Sequence, residues 1–252
     1  MVNGFESFKE WFADYEEEFV IIGGVACDLI MKSEGQNFRV TKDVDVVLII
    51  EAVTTSFVNR FWNYIKTAGY EHRNKSTGEM QFYRFSRPMD DDFPFMIELF
   101  SRKPDKVFIE DDSALTPLPM DEEVSSLSAI LLDDDYYYFL REGKVVTDGI
   151  PILELKHLVP FKAKAFLDNM MKRSSGAHVD SRDIKKHKND VFRLTLMFRD
   201  DDEPFELPET IRNDMKIFLD VMADESLDVK SLGAGRVTKE MLLDKLRKAY
   251  GL

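Results

Sequence analysis

One segment constrains this chain more than any other: Arg39–Ile50, RVTKDVDVVLII. Val40, Val44, Val46, Val47, Leu48, Ile49 and Ile50 are mostly strong β-formers, side chains that pack well on a pleated surface and lose rotamer freedom in a helix. The segment reads as the principal strand of a sheet. Two aspartates, Asp43 and Asp45, interrupt its apolar run near the start. Alternate side chains on a strand share a face, so both carboxylates project the same way, roughly 7 Å apart along the strand. Two like charges so placed are costly unless a cation neutralises them.

The flanking sequence supplies partners for this strand. Phe19–Ile22 reads as a short buried strand, broken by Gly23-Gly24, and Val25–Met31 as a helix. A helix is expected over 5–17, with Phe5, Phe8, Trp11 and Phe12 on one face. Another should run from a cap at Thr54 or Thr55 to about Ala68 and end at Gly69. Glu79–Ser86 and Phe93–Ser101 read as a strand pair around the acidic turn Met89–Asp92, and Tyr136–Leu140 with Val145–Asp148 as a hairpin around Arg141–Lys144. From Pro151 the pattern turns helical: Leu153–Lys172 with a local interruption at Pro160, then Arg182–Phe198, Pro208–Met222 and Thr238–Tyr250. The expected architecture is α/β (α+β), a mixed sheet with flanking helices over 1–150, followed by a helical domain over 151–252.

Charge narrows the function. The net charge is −13, which argues against a protein that coats nucleic acid through bulk electrostatics. Residues 156–199 nevertheless contain eleven Lys/Arg and four Asp/Glu, +7 in all. Such a segment is either a local anion site or a set of solvated helix faces. No apolar run is long enough to span a bilayer, no signal peptide is apparent, and Cys27 is the single cysteine, so the expectation is a cytoplasmic protein without intrachain disulfides.

A third acid completes a constellation. Glu98 stands alone within Phe95-Met96-Ile97-Glu98-Leu99-Phe100, and a carboxylate among apolar neighbours should not be buried unpaired. If its strand lies beside Arg39–Ile50, Asp43, Asp45 and Glu98 converge. Their hard oxygens suit Mg²⁺ or Mn²⁺ with substrate phosphates as further ligands, the arrangement of two-metal phosphoryl or nucleotidyl transfer. Gly23-Gly24 fits the same site, since glycines let backbone approach a ligand and the following helix offers N–H groups to a polyphosphate. Gly-Gly or Asp-x-Asp alone is commonly structural; the order strand, Gly-Gly, helix, Asp-x-Asp strand, lone acid in an apolar strand is far more specific.

In that order the sequence resembles the nucleotidyltransferase superfamily. The residues that carry the resemblance are Ile21-Ile22-Gly23-Gly24, Thr41-Lys42-Asp43-Val44-Asp45 and Glu98. Many branches have Ser at the second turn position; Gly24 is similar to the AbiEii-type branch, the toxins of type IV toxin–antitoxin systems. That branch also has a Lys-x-x-Ala motif, matched by Lys162-Ala163-Lys164-Ala165, and a Lys-Asp-x-x-Asp-like segment, matched by Lys186-His187-Lys188-Asn189-Asp190 with His187 where Asp often stands. The resemblance implies a nucleotidyltransferase-like fold whose helical domain completes the nucleotide cleft. It implies Asp43, Asp45 and Glu98 as catalytic metal ligands. Nucleotide contacts would come from Gly23, Gly24, Thr41 and Lys162, with Lys186 and Asp190 organising the site. The implied reaction moves NMP from an NTP to a hydroxyl acceptor, an RNA or tRNA end or a protein, and the implied partner is a cognate antitoxin. Two other readings stay open: a degenerate module that binds nucleotide or protein without turnover, and a small-molecule, antibiotic-type nucleotidyltransferase. The runs Asp90–Asp92, Asp133–Asp135 and Asp200–Asp202 read as solvated turn acids.

Overall fold

The computed structural model describes residues 2–71, 83–102, 115–117, 128–233 and 237–252. The strand expected over 79–86 is therefore described only from residue 83; residues 79–82 lie outside the described residues.

The chain divides into two compact units, Met1–Glu154 and Leu155–Leu252. The first is a mixed α/β unit, as the alternation of strand and helix patterns requires. Its elements are α1 (Phe5–Phe12), β1 (Phe19–Ile22), α2 (Gly23–Ser33), β2 (Asp43–Leu48), α3 (Thr55–Ala68), β3 (Arg84–Ser86), β4 (Met96–Ser101), β5 (Leu115–Pro117), β6 (Ser128–Leu131), α4 (Asp134–Glu142), β7 (Lys144–Thr147) and β8 (Ile150–Leu153). The sheet runs β5-β6-β4-β2-β1-β8-β7, with β3 on the edge of β4. β2 pairs parallel to β4 and antiparallel to β1, while β1 is parallel to β8.

Local chemistry sets the elements. All four residues of β1 are buried, as expected for a strand with neighbours on both edges. The Thr54 hydroxyl accepts from the Phe57 amide and starts α3; Gly69, at φ 66, ends it with its N–H on the Ile65 and Lys66 carbonyls. α1 is shorter than its apolar stripe suggests. It lays Phe8 and Phe12 against Phe19 and Phe57 in tilted and edge-on contacts of 5.7–6.2 Å.

Two expectations fail. Tyr136–Leu140 is not a strand but the body of α4, and β7 forms its hairpin with β8 instead. Asp133 caps that helix by accepting from the Asp135 amide, and Asp134 and Asp135 fill the first turn, where the helix dipole favours anions. Tyr136, Tyr137 and Leu140 are buried while Tyr138 is half exposed, a helical rather than alternating pattern. The acids of this run are solvated, as expected, but they start a helix rather than form a turn. The second failure is at Pro151, where the helical pattern was expected to begin: Ile150–Leu153 is a fully buried strand of the sheet.

The second unit is helical: α5 (Leu155–Ser174), α6 (Ser181–Thr195), α7 (Glu209–Asp224), a 3₁₀ turn over Val229–Leu232 and α8 (Lys239–Tyr250). Pro160 lies within α5 without ending it. The core of the unit includes Phe166, Phe192 and Phe218, with ring centroids 5.5 and 5.9 Å apart. Among the described residues no helix is long and apolar enough to cross a membrane.

Candidate active site

Strand order brings the acids of the first unit together. Asp45 stands in register with Ile22 on one side and with Glu98 on the other. Asp43 is paired with Met96, two residues earlier on both strands. Burial alternates along β2 and β4: Val44, Val46, Ile97 and Leu99 are wholly buried, whereas Asp43, Asp45 and Glu98 are only partly so. The three carboxylates therefore share one face, and the residue after Ile22 opens the glycine turn beside them.

That turn is built around its neighbours. Gly23 has φ +70, and a Cβ there would lie 1.7 Å from Asp45 Oδ2. The Asp45 carboxylate thus rests on the Gly23 backbone at the first turn of α2. A Cβ on Gly24 would lie 2.4 Å from Thr41 Oγ1 and 2.8 Å from Thr41 Cβ. Thr41 is itself buried, so the missing side chain at 24 is what admits its hydroxyl. A serine at this position would collide with Thr41. Lys42, between Thr41 and Asp43, places its ammonium 5.7 Å from the Phe95 ring.

Glu98 is engaged: its Oε1 accepts from Arg84 Nε across the β3–β4 pair, and Arg84 is about half exposed. Among the described residues no three His, Cys, Asp or Glu side chains stand close enough to hold one metal ion. The donor chemistry is still that of a hard-cation site, all carboxylate oxygen on one face beside bare glycine backbone. Asp43 and Asp45 are the oxygen donors such an ion would take on β2, and the third carboxylate, Glu98, is paired with Arg84.

In the helical unit the motif residues Lys162 and Asp190 meet each other. Lys162 Nζ lies 3.4 Å from Asp190 Oδ2, with side-chain exposures of 5% and 0%. Arg193 Nη1 approaches Asp190 Oδ1 at 3.3 Å. Lys162 is therefore a buried ion-pair partner within the helical core. Lys164, two residues on, points elsewhere and pairs with Asp168 and Asp214 at 3.4 and 3.3 Å. Burial pulls its ammonium down, but these two carboxylates outweigh it and raise its pKa. Lys186 is half buried on α6.

Nothing in the sequence marks Arg84 as a neighbour of Glu98. Its only clue would have been the register of a three-residue strand. Nor did it reveal Arg193, which lies one helical turn beyond Asp190 and carries no motif.

No protein-family model matches the sequence, and no curated protein is similar to it. Among solved structures, the Megavirus polyadenylate synthase is similar at 10% identity and TM-score 0.38, over 88% of this chain and 36% of that one. JHP933 from Helicobacter pylori is similar at 12% identity and TM-score 0.40, over 96% of this chain and 85% of that one. The chain thus spans about a third of the viral enzyme's length. Neither likeness is close enough to bear on function.

Proposed function

We propose that the protein is a metal-dependent nucleotidyltransferase that moves NMP from an NTP to a hydroxyl acceptor. The observation that carries the reading is the registry of Ile22, Asp45 and Glu98 across β1, β2 and β4, which sets the Gly23-Gly24 turn beside three carboxylates on one face. Asp43, Asp45 and Glu98 would hold Mg²⁺ or Mn²⁺, which supplies charge neutralisation of the polyphosphate and activation of the acceptor oxygen. The first-turn amides of α2, beside Asp45 and Thr41, would receive the phosphates. In the reaction the acceptor oxygen bonds to the α-phosphorus and the α–β bridging bond breaks. Pyrophosphate leaves, and the acceptor proton passes to Glu98. Glu98 can accept it only after Arg84 has released the carboxylate.

The acceptor we favour is an RNA end or a protein hydroxyl, with the chain acting as the toxin of a toxin–antitoxin pair in the cytoplasm. This rests on the sequence motifs that resemble the AbiEii branch. Pyrophosphate release from NTP in the presence of Mg²⁺ and bulk RNA or protein tests the transferase. Asp45→Asn should reduce it at least a hundredfold. A second reading is favoured by the Arg84–Glu98 pair: a module that binds nucleotide without turnover, because its third carboxylate is neutralised. Arg84→Ala separates the two. Faster turnover identifies Arg84 as a brake on an enzyme, and nucleotide binding without turnover in both forms identifies the module.

A further inference from the structure

The helical unit holds a cavity of about 320 Å³ between the end of α5, the first half of α6 and the segment after α7. It is separate from the Lys162–Asp190 pair, and none of the residues placed in the transferase site lines it. Its volume lies within the usual range for small-molecule sites.

The lining is charged and unevenly satisfied. Lys188 donates to Glu225 Oε2 and to the Ser226 carbonyl, both at 2.9 Å, and so forms a closed pair in the wall. Asp228 is partly committed to the 3₁₀ turn, accepting from the Ser231 amide at 3.4 Å. Arg173 and Lys185 form no ion pair with any described residue. Three cations thus face two carboxylates, and two of the cations have no counter-ion among the described residues.

Asn189 is the second, independent observation. It is 8% exposed, lines the cavity, and its side-chain amide has no hydrogen-bond partner among the described residues. Asn is a poor residue for a helix interior, because its amide competes for backbone groups. That amide is not sealed off: it opens onto the cavity, where a ligand can accept from it, and Leu or Ala at 189 would suit α6 better.

We propose that this cavity binds a small organic oxyanion. Arg173 and Lys185 neutralise its phosphate or carboxylate head, the Asn189 amide donates to it, and hydroxyl or amino groups on the remainder face Glu225 and Asp228. The planar guanidinium of Arg173 suits two-point recognition of either head group. The site lies wholly within the helical unit and does not depend on the transferase reading.

The test uses ¹⁵N-labelled full-length protein titrated with inorganic phosphate, with acetate, and with sodium chloride at matched ionic strength. Saturable shifts of the backbone amides of Arg173, Lys185 and Asn189 are expected with phosphate, acetate or both, and not with chloride. Which of the two saturates distinguishes a phosphoryl from a carboxylate ligand. Lys185→Gln, at an exposed position where folding is not at risk, should weaken binding at least tenfold, as should Asn189→Leu. Asp43→Asn should leave it unchanged. Shifts that follow ionic strength without saturating, equal binding by Lys185→Gln, or loss of binding in Asp43→Asn would each overturn the assignment.

Discussion

Gly23 is where one residue most visibly dictates the site. Its φ of +70 already disfavours any residue with a Cβ, by about 1–2 kcal/mol. The larger constraint is Asp45, whose Oδ2 would lie 1.7 Å from that Cβ. Gly23→Ala must push the carboxylate away as well as strain the turn. The two costs separate in a double-mutant cycle. Against an Asp45→Ala background the nearest remaining Asp45 atom is its Cβ, at 3.1 Å, so mainly the backbone strain should survive. Urea unfolding should give a Gly23–Asp45 coupling energy of about 1 kcal/mol or more. Strict additivity would mean that Asp45 does not rest on the glycine. The glycine pair was legible in the sequence as a turn. The reason for each glycine was not, because it is supplied by side chains about twenty residues away, Asp45 for Gly23 and Thr41 for Gly24.

At the scale of elements, helix starts were the most legible features, because a cap acts over three residues. Thr54 caps α3 as its position implies, and Gly69 ends the same helix. The misreading of Tyr136–Tyr138 shows the limit: three aromatics in a row have β character, yet Asp133 and the acids after it determine a helix. The α3 cap also carries a pH dependence. Thr54 Oγ1 donates to Glu18 Oε1 at 2.6 Å, while the other carboxylate oxygen is buried without a hydrogen-bond partner. Burial pushes the Glu18 pKa up, and the Thr54 hydrogen bond only partly offsets this. The folded state thus holds this proton to higher pH than the unfolded chain. The resulting stability is complete below the ordinary glutamate value of about 4.3 and is lost as pH rises through the raised folded value. Glu18→Gln should therefore gain on the wild type as pH increases across that window, measured by urea midpoints at a series of pH values. A constant difference would locate the titration elsewhere. In the helical unit, the buried pair on α5 and α6 predicts a contrast between neighbouring lysines. Lys162→Ala leaves Asp190 buried with only part of its compensation and should cost about 3 kcal/mol. Lys164→Ala removes a more exposed pair and should cost less than about 1 kcal/mol. Equal losses in chemical denaturation would reject the buried pair as a structural element.

For the whole molecule, the sequence conveyed a mixed α/β part followed by helices, and the order of the motifs along the first part. It could not convey strand order. The acids at 43, 45 and 98 come together because β2 sits between β1 and β4, a long-range pairing that no local pattern encodes. This grouping has a thermodynamic cost that a functional ligand should repay. Asp43 and Asp45 repel one another in the metal-free protein, so Asp43→Asn should stabilise it slightly, by about 0.5 kcal/mol. Mg²⁺ and NTP together should reverse the order. A ligand that binds only the native state at about a hundred times its dissociation constant adds about 2.7 kcal/mol. For a protein of this size that is a rise in melting temperature of about 5–10 °C. Either component alone should give much less, since the metal neutralises the triphosphate beside the carboxylates. The wild type should thus melt below Asp43→Asn without ligands and above it with both. A joint shift that persists in Asp43→Asn would place the nucleotide away from β2 and remove the transferase reading of this face.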